Sequence, residues 1–164
     1  MLRFGLFALS LAACASAEAQ APLQPSETFA GLIGACWKAD IGEDLAGGTI
    51  TDTHCSSAAT GGKVVMDVHK VRRGSGEVGY EGVTVYRLDK ATGTVRFDYH
   101  NSDGDLITGS AKRDGQLIRF PETVYQVGDI VWSLSSNAYE TVPLVMPEAK
   151  RRFVKVGPAP EGGF

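Results

Sequence analysis

The feature that most constrains this chain is a series of short apolar–polar alternations separated by turn residues, running from Ala35 to Val156. Nine or ten such segments follow one another with no helical crossover between them, and Asp-Gly pairs at 103–104 and 114–115 are strong hairpin signals. A sheet of this kind avoids exposed edges by closing on itself. The pattern therefore predicts an all-β fold, an antiparallel meander of about nine or ten strands closed into a barrel. A short N-terminal helix from about Glu27 to Ile33, with Ser26 as its N-cap, is expected to precede the barrel.

The length of 164 residues indicates one domain. The N-terminal stretch has one Arg, an apolar run and then small residues, which is typical of a signal peptide. The predicted division is a signal peptide over residues 1–21, a linker over 22–28, a β-barrel over 29–156 and a flexible tail over 157–164.

Two export routes fit the N-terminus. Several Ala-x-Ala sites between Ala15 and Ala21 favour release as a periplasmic or secreted protein. Leu11-Ala12-Ala13-Cys14 instead resembles a lipobox, which would leave a lipoprotein anchored in the outer membrane through Cys14. Because the Ala-x-Ala sites follow Cys14, soluble export is the preferred interpretation. Membrane contact is expected only on the alternative route, through a lipid on Cys14.

The cysteines are interpreted in the light of export. The stretch GACW, from Gly34 to Trp37, matches the last four positions of the papain-like cysteine-protease motif, but that family needs a His ~130–150 residues downstream of the Cys. The histidines of the sequence, His54, His69 and His100, lie much closer to Cys36, so a papain-like protease is not expected. In an oxidising compartment Cys36 and Cys55 are expected to form a disulfide, which stabilises the fold by about 3 kcal/mol for a loop of this length.

Charge and motifs exclude several functions. A net charge of −3 argues against nucleic-acid binding, which needs a basic surface. The sequence contains no Gly-x-Ser-x-Gly elbow and no carboxylate pair that stands out as catalytic. We therefore expect no enzyme activity, no catalytic residues and no cofactor.

The faces of two strands can be assigned from their alternation. The apolar set, expected to face the barrel interior, comprises Val64, Met66, Val68, Val95, Phe97 and Tyr99. The opposing polar set, expected to face solvent, comprises Asp67, His69, Arg96, Asp98 and His100.

An Asp-x-His motif occurs three times, at 52–54, 67–69 and 98–100. His and carboxylate side chains are ligands for zinc and similar ions. Adjacent strands lie about 4.8 Å apart, so on an outer face His54, His69 and His100 are too far apart to share one ion with bonds of about 2.0–2.1 Å. The motif is interpreted as a solvated polar face, although His54 and His69 alone could form a weak surface site.

Aromatic residues are the better candidates for a binding function. Tyr86, Phe97, Tyr99 and Trp132 lie in predicted strands, where inward-facing side chains of a barrel line any remaining cavity. A core filled by these rings is the alternative. Trp37 is expected to pack at the closed end of the barrel.

The segments GACW, TDTHC, YEGVTVYRLDKATGTVRFDYHNSDG and LIRFPE, spread over most of the chain, carry a family resemblance. In these segments the chain resembles small lipocalin-like (calycin-type) barrel domains exported by proteobacteria. The resemblance implies a barrel with a cavity but no particular substrate.

Three functional hypotheses follow. The first is a binding module whose cavity holds a small apolar or amphipathic molecule. The second is a non-enzymatic envelope protein with a filled barrel that acts through its surface and contains no cavity of ligand size. The third and least favoured is a metal- or haem-binding protein, which requires at least two histidines to face inward.

Overall fold

The computed structural model describes residues 21–121 and 129–160. Most of the predicted signal peptide and the last four residues of the predicted tail lie outside the described residues. In the described part, a short helix is followed by ten strands that close into an all-antiparallel barrel, as predicted.

The helix, α1, spans Pro25–Thr28. The strands are β1 Ala35–Glu43, β2 Thr49–Ala59, β3 Val64–Arg72, β4 Val78–Asp89, β5 Thr94–Asn101, β6 Leu106–Asp114, β7 Leu117–Phe120, β8 Ile130–Leu134, β9 Ala138–Pro143 and β10 Arg151–Pro158. Short 3₁₀ turns lie at Thr60–Gly62 and Pro147–Ala149. Each strand pairs with its neighbours in the chain, and β1 pairs with β10 to close the barrel.

The helix is placed differently from the prediction. It begins at Pro25 and ends at Thr28, rather than running from Glu27 to Ile33, and its N-cap is Gln24 instead of Ser26. Proline at the first helical position already has the helical φ angle. The Glu27 carboxylate accepts a hydrogen bond from the backbone N–H of Gln24 at 2.6 Å and fixes this turn. Within residues 21–121 and 129–160 no helix is both long and apolar enough to cross a membrane.

The segment after α1 covers one end of the barrel. The ring of Phe29 enters the interior, with its centroid 4.0 Å from that of Tyr86, and Phe29 is buried. Trp37 on β1 is also buried, and its indole N–H donates to the carbonyl of Leu32 at 3.1 Å. Trp37 therefore packs at the closed end, as expected, and the opposite end holds the space that remains.

The assignment of faces is confirmed on β5 and wrong on β3. On β5, Val95 and Phe97 are buried and His100 is exposed. On β3, however, the inward residues are Val65, Asp67 and His69, while Val64, Met66 and Val68 face outward. Apolar residues occur on both faces of β3, so alternation alone does not distinguish them. The polar pair lies inside because β2 supplies hydrogen-bond partners there.

The predicted disulfide is present. Cys36 on β1 and Cys55 on β2 are directly opposite each other, with Cα atoms 4.1 Å apart. Ala35, Trp37 and Ala39 of β1 are buried and face inward. Cys36 lies between them in the alternation, so the disulfide is on the outer face of the barrel. A structural disulfide is compatible with a location outside the cytoplasm.

Candidate functional site

A cavity of about 230 Å³ lies inside the barrel, beyond Phe29 and toward the end opposite α1. Its apolar walls are formed by Tyr86, Phe97, Ile107, Phe120, Ile130 and Trp132. Its polar lining comes from His54, His69, Thr84 and Tyr99. Most of the wall is therefore apolar, and the two histidines and the Tyr99 hydroxyl form one polar side.

The four aromatic residues singled out from the sequence, Tyr86, Phe97, Tyr99 and Trp132, all lie on the cavity wall. Sequence reasoning did not single out Ile107 and Ile130. Ile107 lies in the same alternating register as Gly109 and Ala111 on β6, a signal that could have identified it.

Two glycines fix the position of wall rings. A Cβ atom at Gly82 on β4 would lie 2.4 Å from Cε2 of Tyr99, and one at Gly109 on β6 would lie 2.6 Å from Cε1 of Phe97. Each ring therefore occupies the place of a missing side chain on the neighbouring strand, as aromatic rings often do beside strand glycines. The cavity wall depends on these close approaches.

The polar side is built by β2 and β3, which place four side chains in two cross-strand pairs. We refer to Asp52, His54, Asp67 and His69 as the Asp–His cluster. Nδ1 of His54 donates to Oδ2 of Asp67 at 2.6 Å, and Nε2 of His54 lies 3.5 Å from Oδ2 of Asp52. Oδ1 of Asp67 accepts a hydrogen bond from the hydroxyl of Ser56 at 2.8 Å.

His69 completes the cluster and connects it to two tyrosines. Its Nδ1 lies 3.3 Å from Oδ1 of Asp52, and its Nε2 is hydrogen-bonded to the hydroxyl of Tyr99 at 2.7 Å. The Tyr99 hydroxyl is 2.7 Å from that of Tyr80. The imidazole rings of His54 and His69 stack with centroids 4.7 Å apart. A continuous series of hydrogen-bonded polar side chains thus runs along one wall of an otherwise apolar cavity.

The cluster carries charge in the interior. Burial alone lowers the pKa of His54, but the charges and hydrogen bonds of Asp67 and Asp52 outweigh this and raise the pKa to about 10. Burial alone raises the pKa of Asp52, yet hydrogen bonds from His54 and His69 outweigh it and hold the pKa well below its usual range. In the metal-free protein at neutral pH, His54 is therefore an imidazolium between two carboxylates.

The three Asp-x-His motifs do not share one face, which corrects the expectation of a solvated polar surface. The first two contribute inward to the Asp–His cluster because each histidine has a carboxylate partner on the neighbouring strand. The third does not join them, since His100 is exposed on the outer face. One ligand atom each from Asp52, His54 and His69 lies within 4.8 Å of the others, so these residues could hold a metal ion.

The cavity offers binding contacts more readily than a nucleophile. The hydroxyl of Ser56 donates to Asp67 instead of to a histidine, and both Cys36 and Cys55 are in the disulfide. A polar group placed against this side would meet the imidazole rings of His54 and His69 and the hydroxyl of Tyr99, while the rest of a bound molecule would meet aromatic rings. No protein-family model matches the chain, and no curated protein is significantly similar to it in sequence.

Proposed function

We propose that this protein is a non-enzymatic binding module whose barrel holds a small amphipathic molecule, with one hydrogen-bonding group directed at His54 and His69. The observation that carries the proposal is the cavity of about 230 Å³, which has apolar walls and a single polar side. Ligand sites of proteins commonly combine predominantly apolar walls with a few convergent polar groups.

The volume sets the size of the ligand. A cavity of about 150 Å³ accommodates benzene, and pockets for drug-sized ligands begin at about 300 Å³. The volume of about 230 Å³ lies between these values. It suits one ring with a few substituent atoms, or a short alkyl chain with a polar head.

The filled-barrel alternative, in which the protein acts through its surface, predicts no cavity of ligand size. The cavity beside Phe97 and Trp132 favours the binding module over this alternative. We further propose that the protein acts outside the cytoplasm, released into the periplasm or medium or anchored through Cys14. The Cys36–Cys55 disulfide supports export, because such bridges persist in oxidising compartments.

The test uses two probes that differ by one hydroxyl, 4-fluorophenol and fluorobenzene, observed by fluorine NMR with EDTA-treated protein. We expect both probes to bind, and 4-fluorophenol to bind about ten-fold more tightly because its hydroxyl meets the polar side. If neither probe binds at millimolar concentrations, the proposal is refuted.

A pair of variants assigns the binding to the cavity. Ile107→Trp fills the cavity from β6 and should abolish binding of both probes. Thr108→Trp places the same side chain at the next residue, on the outer face, and should leave binding unchanged. Circular dichroism confirms that both variants fold. Equal binding by the folded Ile107→Trp variant would place the probes elsewhere.

A further inference from the structure

The contacts within the Asp–His cluster fall into two groups by length. Nδ1 of His54 and Nε2 of His69 make short hydrogen bonds, at 2.6 Å to Asp67 and 2.7 Å to Tyr99. The other nitrogen of each ring faces Asp52 at 3.5 Å and 3.3 Å. Charge-assisted N–H···O⁻ bonds are usually about 2.7–2.9 Å long, so the Asp52 contacts are long for hydrogen bonds.

The longer distances match the spacing of ligand atoms around a metal ion. Two ligands bound at about 2.0–2.1 Å to a tetrahedral ion lie about 3.3–3.4 Å from each other. Nε2 of His54 lies 3.5 Å from Oδ2 of Asp52 and Nδ1 of His69 lies 3.3 Å from Oδ1, both close to this value, and one ligand atom from each residue lies within 4.8 Å of the others. Small side-chain adjustments would therefore let one ion replace the long contacts.

The remaining ring nitrogens already have the partners that metal-binding histidines usually have. A metal-ligating histidine almost always donates its other N–H to a carboxylate, carbonyl or similar acceptor, which fixes the tautomer. Asp67 occupies this position for His54. The Tyr99 hydroxyl can do so for His69, because its own proton can be donated to Tyr80 at 2.7 Å. Both rings are thus oriented with one nitrogen toward Asp52.

Charge balance also favours a cation at this position. Asp52 and Asp67 are both buried, and two buried carboxylates need compensation. The half-exposed guanidinium of Arg151 lies 3.7 Å from Asp52 and offsets part of this charge. A divalent ion held by Asp52, His54 and His69 would bring further positive charge next to both carboxylates.

From these observations we propose that Asp52, His54 and His69 form a binding site for a divalent transition-metal ion on the cavity wall, with Zn²⁺ as the best fit to two imidazoles and one carboxylate. Three protein ligands leave a coordination position for water or another small ligand. The metal site shares His54 and His69 with the polar side of the cavity, but metal binding does not require the organic ligand proposed above.

The first test is calorimetric titration of the EDTA-treated protein with ZnCl₂. We expect one ion per chain and a Kd of about 10 μM or tighter. Titration with Co²⁺ gives a second readout, because tetrahedral Co²⁺ with nitrogen and oxygen ligands absorbs visible light more strongly than the octahedral aqueous ion. Less than one tenth of an ion bound, or a Co²⁺ spectrum identical to that in buffer, would overturn the proposal.

Variants separate this site from adventitious surface binding. His69→Gln removes one ligand while Asp52 keeps His54 and Arg151 as partners, and should weaken Zn²⁺ binding by about 100-fold or more. Asp98→Asn combined with His100→Gln alters the same motif on the outer face and should leave the affinity unchanged. If the folded His69→Gln variant binds as tightly as the parent, or if the outer-face variant loses binding, the assignment is wrong.

Discussion

Replacement of Gly82 by alanine tests whether the polar wall of the cavity is held by close packing. The new Cβ would lie 2.4 Å from Cε2 and 2.6 Å from the hydroxyl oxygen of Tyr99. Neither distance is tolerable for non-bonded atoms, so the Tyr99 ring must move. Its hydrogen bonds to His69 and Tyr80, both 2.7 Å long, would be lost or weakened.

The expected change in stability follows from these contacts. Two hydrogen bonds at about 0.5–1.5 kcal/mol each amount to about 1–3 kcal/mol. Alanine in a strand is favoured over glycine by roughly 0.5–1 kcal/mol, which offsets part of this loss. We therefore expect Gly82→Ala to lower the free energy of unfolding by up to about 2.5 kcal/mol, with a central value of about 1 kcal/mol.

The assay is urea unfolding followed by tryptophan fluorescence, with Gly157→Ala as the matched control. Gly157 also lies in a strand, and a Cβ there would meet nothing within 4 Å. The control should be neutral or slightly stabilised, so the two substitutions should differ in sign. In a Tyr99→Ala background, Gly82→Ala should no longer destabilise. Equal, stabilising effects at both glycines would refute the idea that Tyr99 is held rigidly against β4.

Two further predictions concern the disulfide and the loops at the end opposite α1. Replacing both Cys36 and Cys55 by alanine should lower the free energy of unfolding by about 3 kcal/mol, as expected for a sequence separation of 19. In urea unfolding, the parent protein with its disulfide reduced should be as stable as this variant. A loss of less than about 1 kcal/mol would contradict the loop-closure explanation. Asp44 accepts hydrogen bonds from the backbone N–H groups of Gly48 and Gly74, and these hold its pKa below the usual range. Its contribution to stability is therefore present above the pKa of the unfolded chain and is lost as pH falls through the lower folded value. Asp44→Asn should destabilise the protein at pH 7, and its difference from the parent should shrink in the same assay as the pH falls through the lowered folded pKa of Asp44; a difference that does not shrink in acid would exclude the charge as the cause.

Much of the fold could be predicted because its signals are local. Hairpin turns such as Asp114-Gly115 and the alternation in β5 are written in adjacent residues, and the ten strands follow them. The pairing of Cys36 with Cys55 could be predicted because removal of the predicted signal peptide would leave these two cysteines to pair. The four aromatic residues of the cavity wall could be predicted because strand alternation, a local signal, indicates which side chains share a face.

The candidate site was harder to predict because it depends on contacts between strands. The short helix begins two residues before its predicted start, because Pro25 and the hydrogen bond from the backbone N–H of Gln24 to Glu27 together fix its first turn. On β3 the rule that apolar residues face inward failed, because Asp67 finds its partners on β2. An inward polar residue is stable only when such partners exist, and the register of two strands decides that.

The sequence by itself therefore determined an all-β chain, its strands and turns, its disulfide and the aromatic side chains available for a cavity. The tertiary structure alone decided which histidines face inward, and that Asp52 and Asp67 surround His54 while His100 remains outside. The physical reason is the range of the interactions. Turn geometry and alternation act between residues close in the chain, whereas the burial of charge is settled by cross-strand partners 13 to 17 positions away.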